Sequence, residues 1–405
     1  MSLAEIDLNN ADHFVEATPN HWFKQLRAEA PVFWNPEPDG PGFWCLTKYQ
    51  DAKHVSRNPQ LFSSAAGGTN IRTPPDDALV RLRMIMLNMD PPQHVKFRRI
   101  VQRGFTPRMI SEMEQHIREL TTRIVDRVAH KGECDFVEEL AAELPLQVIC
   151  ELLGIPMEDR FHLFELTNRL IGFDDPEFHT SEEDGAIASA EVFAYANKHA
   201  QRYKDKPGDD LTSKLLHSEV DGERLNELEY CSFFLLLLVA GNETTRTVTT
   251  HGMNLLIEHP DQLQKLIEDP SLIPSAVEEI LRYAPAVHHF RRTVMEDIEI
   301  RGQKIKAGDK VTMWYPSINR DEEIFDDPDR FDVERYPNEH LAFGIGEHFC
   351  LGASLARSEL CIIFDELVRR LRNPELAGPV RRLRSNFING VKEMRIRFTP
   401  ETARV

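Results

Sequence analysis

The chain predicts a mainly α-helical fold with small peripheral β-sheets, and three observations predict it. From Pro91 to about Arg372 most of the sequence carries helical periodicity, punctuated by loops rich in Asp, Pro and Gly. Leu225 to His259 runs without a proline until Pro260. At about 1.5 Å per residue that stretch spans roughly 50 Å, enough to cross a domain. Polar–apolar alternation, the signature of a strand, is confined to short flanking pieces.

The elements follow in order. His21 to Glu29 reads as a helix, and Val32-Phe33-Trp34 and Phe43-Trp44-Cys45-Leu46 as short strands. Residues 64–88 are loop-like, with Gly67-Gly68 and Pro74-Pro75. Helices are expected over Met109 to His130, Glu138 to Leu153, Glu191 to Lys204 and Leu225 to His259. Asp174-Asp175-Pro176 and Pro207-Gly208-Asp209 mark loops between them. Asp297 to Ile300 alternates, Arg301-Gly302 turns the chain, and Ala307-Gly308-Asp309 turns it again before Val311-Thr312-Met313. Lys392 to Phe398 alternates likewise. No polar linker divides the 405 residues, so 1–405 is expected to be a single domain.

Composition excludes several classes. With 48 Lys plus Arg against 66 Asp plus Glu the net charge is −18, a poor balance for nucleic-acid binding. The amino terminus has no basic region followed by an apolar core, so no secretory signal is expected. The longest apolar run, Phe233 to Gly241, is far short of the ~18–20 residues that span a bilayer. A soluble cytoplasmic protein without a membrane anchor is expected. Cys45, Cys134, Cys150, Cys231 and Cys361 show no CxxC pairing and read as reduced structural thiols.

Cys350 differs from them. It sits in His340-Leu341-Ala342-Phe343-Gly344-Ile345-Gly346-Glu347-His348-Phe349-Cys350-Leu351-Gly352, directly before a helical pattern. A thiolate there faces backbone N–H groups and the positive end of a helix, both of which favour a metal-bound sulfur. A lone cysteine is more often a small buried hydrophobe, and glycines more often mark turns. A dinucleotide loop fits poorly, because Phe349 stands where the third glycine would be.

The full string decides between these readings. Phe343, Gly346, Cys350 and Gly352 resemble the haem-binding signature of the cytochrome P-450 family. The resemblance implies that family's fold, with haem b between a long central helix and the cysteine-loop helix. It implies Cys350 as the iron ligand, Phe343 shielding the sulfur, and Gly352 letting the next helix approach the porphyrin.

Three further motifs stand in the family's order. Within the long helix, Leu235-Leu236-Leu237-Leu238-Val239 is apolar all round, and the polarity then breaks at Ala240-Gly241-Asn242-Glu243-Thr244. A carboxylate buried there is costly unless paired or functional, although a kinked core helix would look the same. The string resembles the family's oxygen-side motif, with Glu in place of the commoner Asp. By that resemblance Ala240 and Gly241 line the cofactor, Gly241 and Thr244 open a groove for dioxygen, Thr244 donates a hydrogen bond where dioxygen is activated, and Glu243 helps bring protons from solvent. Glu279-Ile280-Leu281-Arg282 places an acid and a base on one helix face, by itself an ordinary solvated pair. It resembles the family's ExxR, with Arg335 as the third member of a buried structural network. His94 and Arg98, four apart, Arg292, His340 and His348 resemble the family's partners for the haem propionates. Arg291 adjoins Arg292, and which of the two takes that place is left open.

The chain carries no flavin or nicotinamide fingerprint, so electrons must arrive from a separate protein. The resemblance implies a ferredoxin or flavodoxin with its NAD(P)H-dependent reductase, dioxygen as co-substrate, and a monomer. Lys96, Arg99, Arg103, Arg108 and Arg357 form a basic group that would steer an acidic donor, unless they are ordinary surface charges. Substrate-facing positions follow the family layout: the 64–88 loop, Leu236, Val239 and Ala240, Val287 to Phe290 with His289 among them, and Phe387 to Asn389 with Ile388 at the centre. Most are apolar, and a hydrophobic small molecule is expected. A looser likeness around His288 to Thr293 and Asn386 to Gly390 points to terpenoid, steroid or branched-lipid hydroxylation. A peroxygenase using hydrogen peroxide, or a haem-thiolate sensor without turnover, would be the alternatives.

Overall fold

A computed structural model describes residues 2–178, 182–203, 208, 210–219, 222 and 224–402. Lys204, Pro207 and Asp209, which the sequence placed at a helix end and in a loop, lie outside the described residues. The α-helices run α1 Asn20–Glu29, α2 Tyr49–Arg57, α3 Asp76–Leu82, α4 Gln93–Val101, α5 Pro107–Ala129, α6 Glu143–Leu153, α7 Arg160–Ile171, α8 Glu182–Gln201, α9 Leu211–His217, α10 Glu227–Glu258, α11 Pro260–Glu268, α12 Ile273–Tyr283, α13 Tyr315–Ile318 and α14 Ala353–Arg370. The strands are β1 Val32–Asn35, β2 Phe43–Leu46, β3 Phe62–Ser63, β4 Glu133–Asp135, β5 His289–Val294, β6 Ile298–Ile300, β7 Gln303–Ile305, β8 Lys310–Trp314, β9 Arg372–Leu376, β10 Arg381–Arg382, β11 Val391–Glu393 and β12 Arg395–Thr399.

Helix α10 organises the core. Its start is fixed by a reciprocal cap: the Asn226 side chain accepts from the Glu229 N–H, and the Glu229 carboxylate accepts from the Asn226 N–H, both at 2.9 Å. Pro260 ends it and opens α11. Its buried residues lie on every side, so α6, α7, α8, α12 and α14 pack round it and leave no solvent face along most of its length.

The sheets are peripheral. The largest has the order β1-β2-β8-β5-β3, with β2 and β8 parallel and its other neighbours antiparallel. β6 and β7 form a hairpin whose turn residues Arg301 and Gly302 both have positive φ, 49° and 81°.

Several sequence expectations are corrected. The loop-like 64–88 stretch contains α3, because Pro74-Pro75 stops the preceding chain and Asp76 and Asp77 complement the new helix's positive end. The helix expected over Glu138 to Leu153 divides into a π-helical turn, Val137–Ala141, and α6. The break falls ahead of Pro145, which has no N–H to give. The alternating stretch Lys392 to Phe398 is two strands in two different sheets, separated at the buried Met394.

Candidate active site

The cysteine loop folds back on itself. The Cys350 N–H donates to the Phe343 carbonyl at 2.9 Å. Gly344 and Gly346 take φ of +70° and +79°, and a Cβ on Gly346 would stand 2.5 Å from the Ser56 carbonyl oxygen, so only glycine fits there. Cys350 alone among the six cysteines is exposed. Protein packs closely round the rest of its side chain, so desolvation raises the thiol pKa. The Gly352 N–H, Arg98 and Arg357 oppose that shift. A Cβ on Gly352 would meet nothing within 4 Å, which leaves the floor beside the sulfur open.

Behind the loop stands an ion-pair triad. Arg357 lies 4.5 Å over the Phe343 ring and grips Glu278 with Nε and Nη2 at 2.7 and 2.9 Å. His340 Nε2 meets the same carboxylate at 3.1 Å. Burial alone would raise the Glu278 pKa, but His340 and Arg357 hold it down at about 2. His340 is therefore engaged on this side of the loop and stands apart from the other residues expected at the propionates.

Those others do converge. The His94 and His348 rings are 4.2 Å apart. Arg98 reaches the carbonyls of Glu347 and Phe349 at 3.1 and 2.7 Å. Ser64 Oγ is 3.3 Å from His348 Nε2. Arg292 is buried, and its charge is felt by both histidines. Burial first, then the neighbouring guanidinium groups, lower His94 to about 4 and His348 to about 2. Both ring nitrogens of His94 are buried without a partner. Asp90 is the acid that counters this group, and its oxygens are already engaged by the Ser63 hydroxyl and the Ser64 N–H. Two arginines and two histidines, with His94 and Arg292 buried and Arg98 and His348 half-buried, short of acid and next to an open cysteine, suit a flat group with two carboxylates. Haem, with its two propionates, fits that description. Arg291 points elsewhere. It bonds the carbonyls of Asn70 and Ile71 at 3.3 and 3.1 Å and Thr73 Oγ1 at 2.9 Å, clamping the loop before α3.

On α10 the acid and the alcohol are both engaged. Thr244 is half-buried, and its hydroxyl donates to the Ala240 carbonyl at 2.6 Å, the local back-bond open to a helical Thr. Glu243 is 2% exposed; Arg246 Nη2 pairs with it and Thr247 Oγ1 donates at 3.3 Å. Arg246 also donates to Asn168 at 3.1 Å and lies 5.2 Å from the Phe164 ring, so α7 closes the direct path from Glu243 to solvent. A Cβ on Gly241 would approach Ile149 of α6 at 3.3 Å, so glycine there lets α6 pack close to α10.

Val239, Val287 and Ile388 come together in one apolar cluster with Ile171, Phe178, Leu383 and Phe387. Val287 and Ile388 also pair as an isolated β-bridge. Leu236 belongs instead to the main core. β5 alternates: Phe290 and Arg292 lie on one face, whereas His289 lies on the other against Trp314 (4.6 Å), with Nδ1 on the Asn386 carbonyl at 3.0 Å. His289 thus stands behind the sheet from the Arg292 side.

Glu279, Arg282 and Arg335 also meet. Arg282 bonds Glu279 bidentately at 2.7 and 2.8 Å with both side chains fully buried, and Arg335 Nε adds 3.2 Å. Asn338 and the Asp332 N–H complete the carboxylate's shell at 3.1 and 3.0 Å. Of the basic group, Arg108 pairs with Glu112, Arg357 with Glu278, and Arg103 with the Glu219 carbonyl.

The sequence reading missed Glu278, Arg246, Ile171, Phe178 and Leu383, and it placed Ser64 in the substrate-facing 64–88 loop, whereas its hydroxyl meets His348. Arg246 could have been found from its spacing of three from Glu243. Glu278 could not, because its partners lie 62 and 79 residues away.

Residues 112–378 match the family profile described as Cytochrome P450. The chain is 40% identical over 402 residues to a steroid C26-monooxygenase of Rhodococcus jostii (strain RHA1), covering 97% of this chain and 84% of that one. It is 43% identical over 411 residues to a methyl-branched lipid omega-hydroxylase of Mycobacterium tuberculosis (strain ATCC 25618 / H37Rv), covering 98% and 95%. It is 39% identical over 402 residues to a linalool 8-monooxygenase of Pseudomonas putida, covering 98% and 99%. A solved Mycobacterium marinum cytochrome P450 in complex with pseudoionone superposes with a TM-score of 0.90 at 37% identity, covering 97% and 98%. No helix among the described residues is long and apolar enough to cross a membrane. Likeness in sequence over nearly the whole length and likeness in backbone lead to the same place: this chain belongs to the cytochrome P450 family and is a haem b monooxygenase.

Proposed function

We propose that the protein hydroxylates a terminal methyl group of a methyl-branched hydrocarbon chain, whether on a terpenoid, a steroid side chain or a branched lipid. The balance is R–H + O2 + two electrons + two protons → R–OH + water. Position 26 of a steroid, the omega carbon of a methyl-branched lipid and position 8 of linalool are all methyl carbons at the end of a branched chain. The observation that carries the reading onto this chain is the cluster of Ile171, Phe178, Val239, Val287, Leu383, Phe387 and Ile388: it adjoins Ala240 and packs seven hydrocarbon side chains together. Such a wall recognises a branched apolar end by shape.

Within this reading Cys350 is the iron ligand, shielded by Phe343 and floored by Gly352. His94, Arg98, Arg292 and His348 hold the propionates, and His340 braces the loop through Glu278 instead. When bound, haem supplies dioxygen activation and oxygen transfer. The chain's part is to exclude water and deliver protons. The Thr244 hydroxyl turns from the Ala240 carbonyl towards the oxygen side, and Glu243 resupplies its proton once Arg246 has moved off the carboxylate. Electrons come singly from a ferredoxin or flavodoxin with its reductase, and the enzyme works as a single-domain cytoplasmic monomer.

The test is turnover with a ferredoxin, its reductase and a nicotinamide donor on linalool, cholestenone and isopalmitic acid, with products identified by mass spectrometry. A terminal alcohol from at least one of them is expected. Thr244→Ala should keep consuming reductant while releasing peroxide in place of alcohol. Alcohols formed only at internal positions would refute the terminal-methyl assignment, and unchanged coupling would refute the role of Thr244.

A further inference from the structure

Attack on the end of an isopropyl-tipped chain runs against bond strength, because the tertiary C–H next to the two methyls is weaker than theirs. A site that oxidises the methyl must therefore hold the chain end in one place. Ile388 and Val287 are the cluster members paired across a β-bridge, so whatever fixes their backbone fixes the wall against which the chain end rests.

That backbone is fixed chiefly through Asn389. Its N–H donates to the Ala286 carbonyl at 2.8 Å, and its side-chain Nδ2 donates to the Pro285 carbonyl at 3.1 Å. Its Oδ1 accepts from Arg382 Nη2 at 2.5 Å and from Thr18 Oγ1 at 3.4 Å. Its own carbonyl accepts from His251 Nε2 at 2.7 Å. The last contact matters most, because His251 belongs to α10. Ala240, Thr244, Thr247 and His251 follow one another at helical spacing along a single face. The bond from His251 therefore ties the Ile388 wall directly to the helix that carries the acid–alcohol pair.

The imidazole suits this task. It is buried, and burial followed by the nearby Arg382 charge lowers its pKa to about 3. It stays neutral in the working range and keeps one N–H for the carbonyl. The hairpin end has other bonds: Ser385 Oγ accepts from the Phe387 and Ile388 N–H groups at 3.1 and 3.0 Å, the Phe387 carbonyl accepts from the His288 N–H at 2.8 Å, and Asn386 bonds the Leu8 and Asn9 carbonyls and His289. None of these reaches α10.

We infer that His251 and Asn389 form a strut that sets the distance of the Ile388–Val287 wall from the oxygen side of α10, and that this strut makes them positioning residues for attack at the terminal methyl. The inference rests on the terminal-methyl reading above. Small displacements of a reacting carbon change rates steeply, by about a hundredfold for ~1 Å.

Isopalmitic acid, which ends in an isopropyl group, is the probe. The ratio of terminal to tertiary alcohol is measured for wild type, His251→Phe, which keeps the ring and loses the donor, His251→Gln, which keeps an N–H, and Asn389→Leu. Hydrogen exchange of residues 383–391 is measured on the same haem-loaded proteins without substrate. We expect His251→Phe and Asn389→Leu to lower the ratio about tenfold and to speed exchange in 383–391, and His251→Gln to restore most of both. An unchanged ratio in His251→Phe, or unchanged exchange in that segment, overturns the strut. If wild type makes no alcohol from isopalmitic acid, that result counts against the substrate reading, and the exchange data alone decide the strut. Should His251→Phe fail to load haem, the Asn389→Leu and His251→Gln pair carries the same comparison.

Discussion

Glu278 shows at the scale of a single residue how a site is held rather than how it reacts. Its carboxylate receives both nitrogens of an Arg fork and one imidazole, and it is about one-third exposed. A shift from 4.5 to about 2 corresponds to about 3 kcal/mol at ~1.36 kcal/mol per unit, or ~2 kcal/mol after allowing for residual solvent screening. The sign follows from the direction. Because the folded pKa is the lower one, this stability is fully present above the unfolded value near 4.5 and is lost as pH falls towards about 2. Glu278→Gln should therefore cost about 2 kcal/mol in urea unfolding at pH 7, and the gap from wild type should narrow steadily below about pH 4.5. A gap of the same size at pH 7 and pH 3 would show that the carboxylate contributes shape alone. The same residue marks a limit of reading sequences. Glu279 and Arg282 were legible because an i,i+3 spacing is local, whereas the neighbouring Glu278 finds His340 and Arg357 only after the chain has folded.

Among elements, the connection between α7 and α8 is held across the hairpin of β10 and β11. Asp175, 1% exposed, accepts from Lys392 at 2.9 Å and from the Arg384 N–H at 3.0 Å. Glu177 takes Lys392 at 2.7 Å and Arg381 at 2.8 Å. Phe178, next along the chain, packs on the apolar cluster around Ile388. The exposed Arg381–Glu177 pair contributes little, ~0–1 kcal/mol, but the Lys392–Asp175 pair is largely out of water and leaves a buried carboxylate if broken. Lys392→Met is therefore expected to loosen this cover and speed the spin-state change on mixing with an apolar ligand in stopped flow. Equal rates for the two proteins would mean that ligands enter elsewhere. At this scale the helices were legible wherever caps and periodicity agreed, as in α10. β1, β2, β6 and β8 were legible as well, but β5 was not, because it reads as a run of His, Arg and Thr until its two faces are separated by the sheet, one towards Arg292 and the other towards Trp314.

The molecule as a whole divides its charge between two kinds of buried site. In the Glu279–Arg282–Arg335 network two guanidiniums share one carboxylate in direct contact and spend their other donors on backbone carbonyls. At the other site His94 and His348 are held neutral, Arg98 and Arg292 have no carboxylate at ion-pair distance among the described residues, and Asp90 is already bonded to Ser63 and Ser64, so a bound dianion would supply the partner that folding does not. Sequence order could give the members of both groups, since the family resemblance named nearly all of them, but not this difference in balance, which depends on who lies beside whom. The difference makes the two regions respond oppositely to haem removal. Apoprotein should exchange amide hydrogens faster than holoprotein over 89–101 and 343–352, where Arg98 grips the cysteine loop without a carboxylate partner, and at unchanged rates over 276–283 and 331–338, where both guanidiniums contact Glu279 directly. Moderate salt should slow exchange in the first pair of segments of the apoprotein by supplying counter-ions to the unpaired guanidinium, and leave the second pair as it was. Uniform loosening of all four segments would mean that the cofactor holds the fold by packing alone and that the surplus of positive charge is balanced some other way.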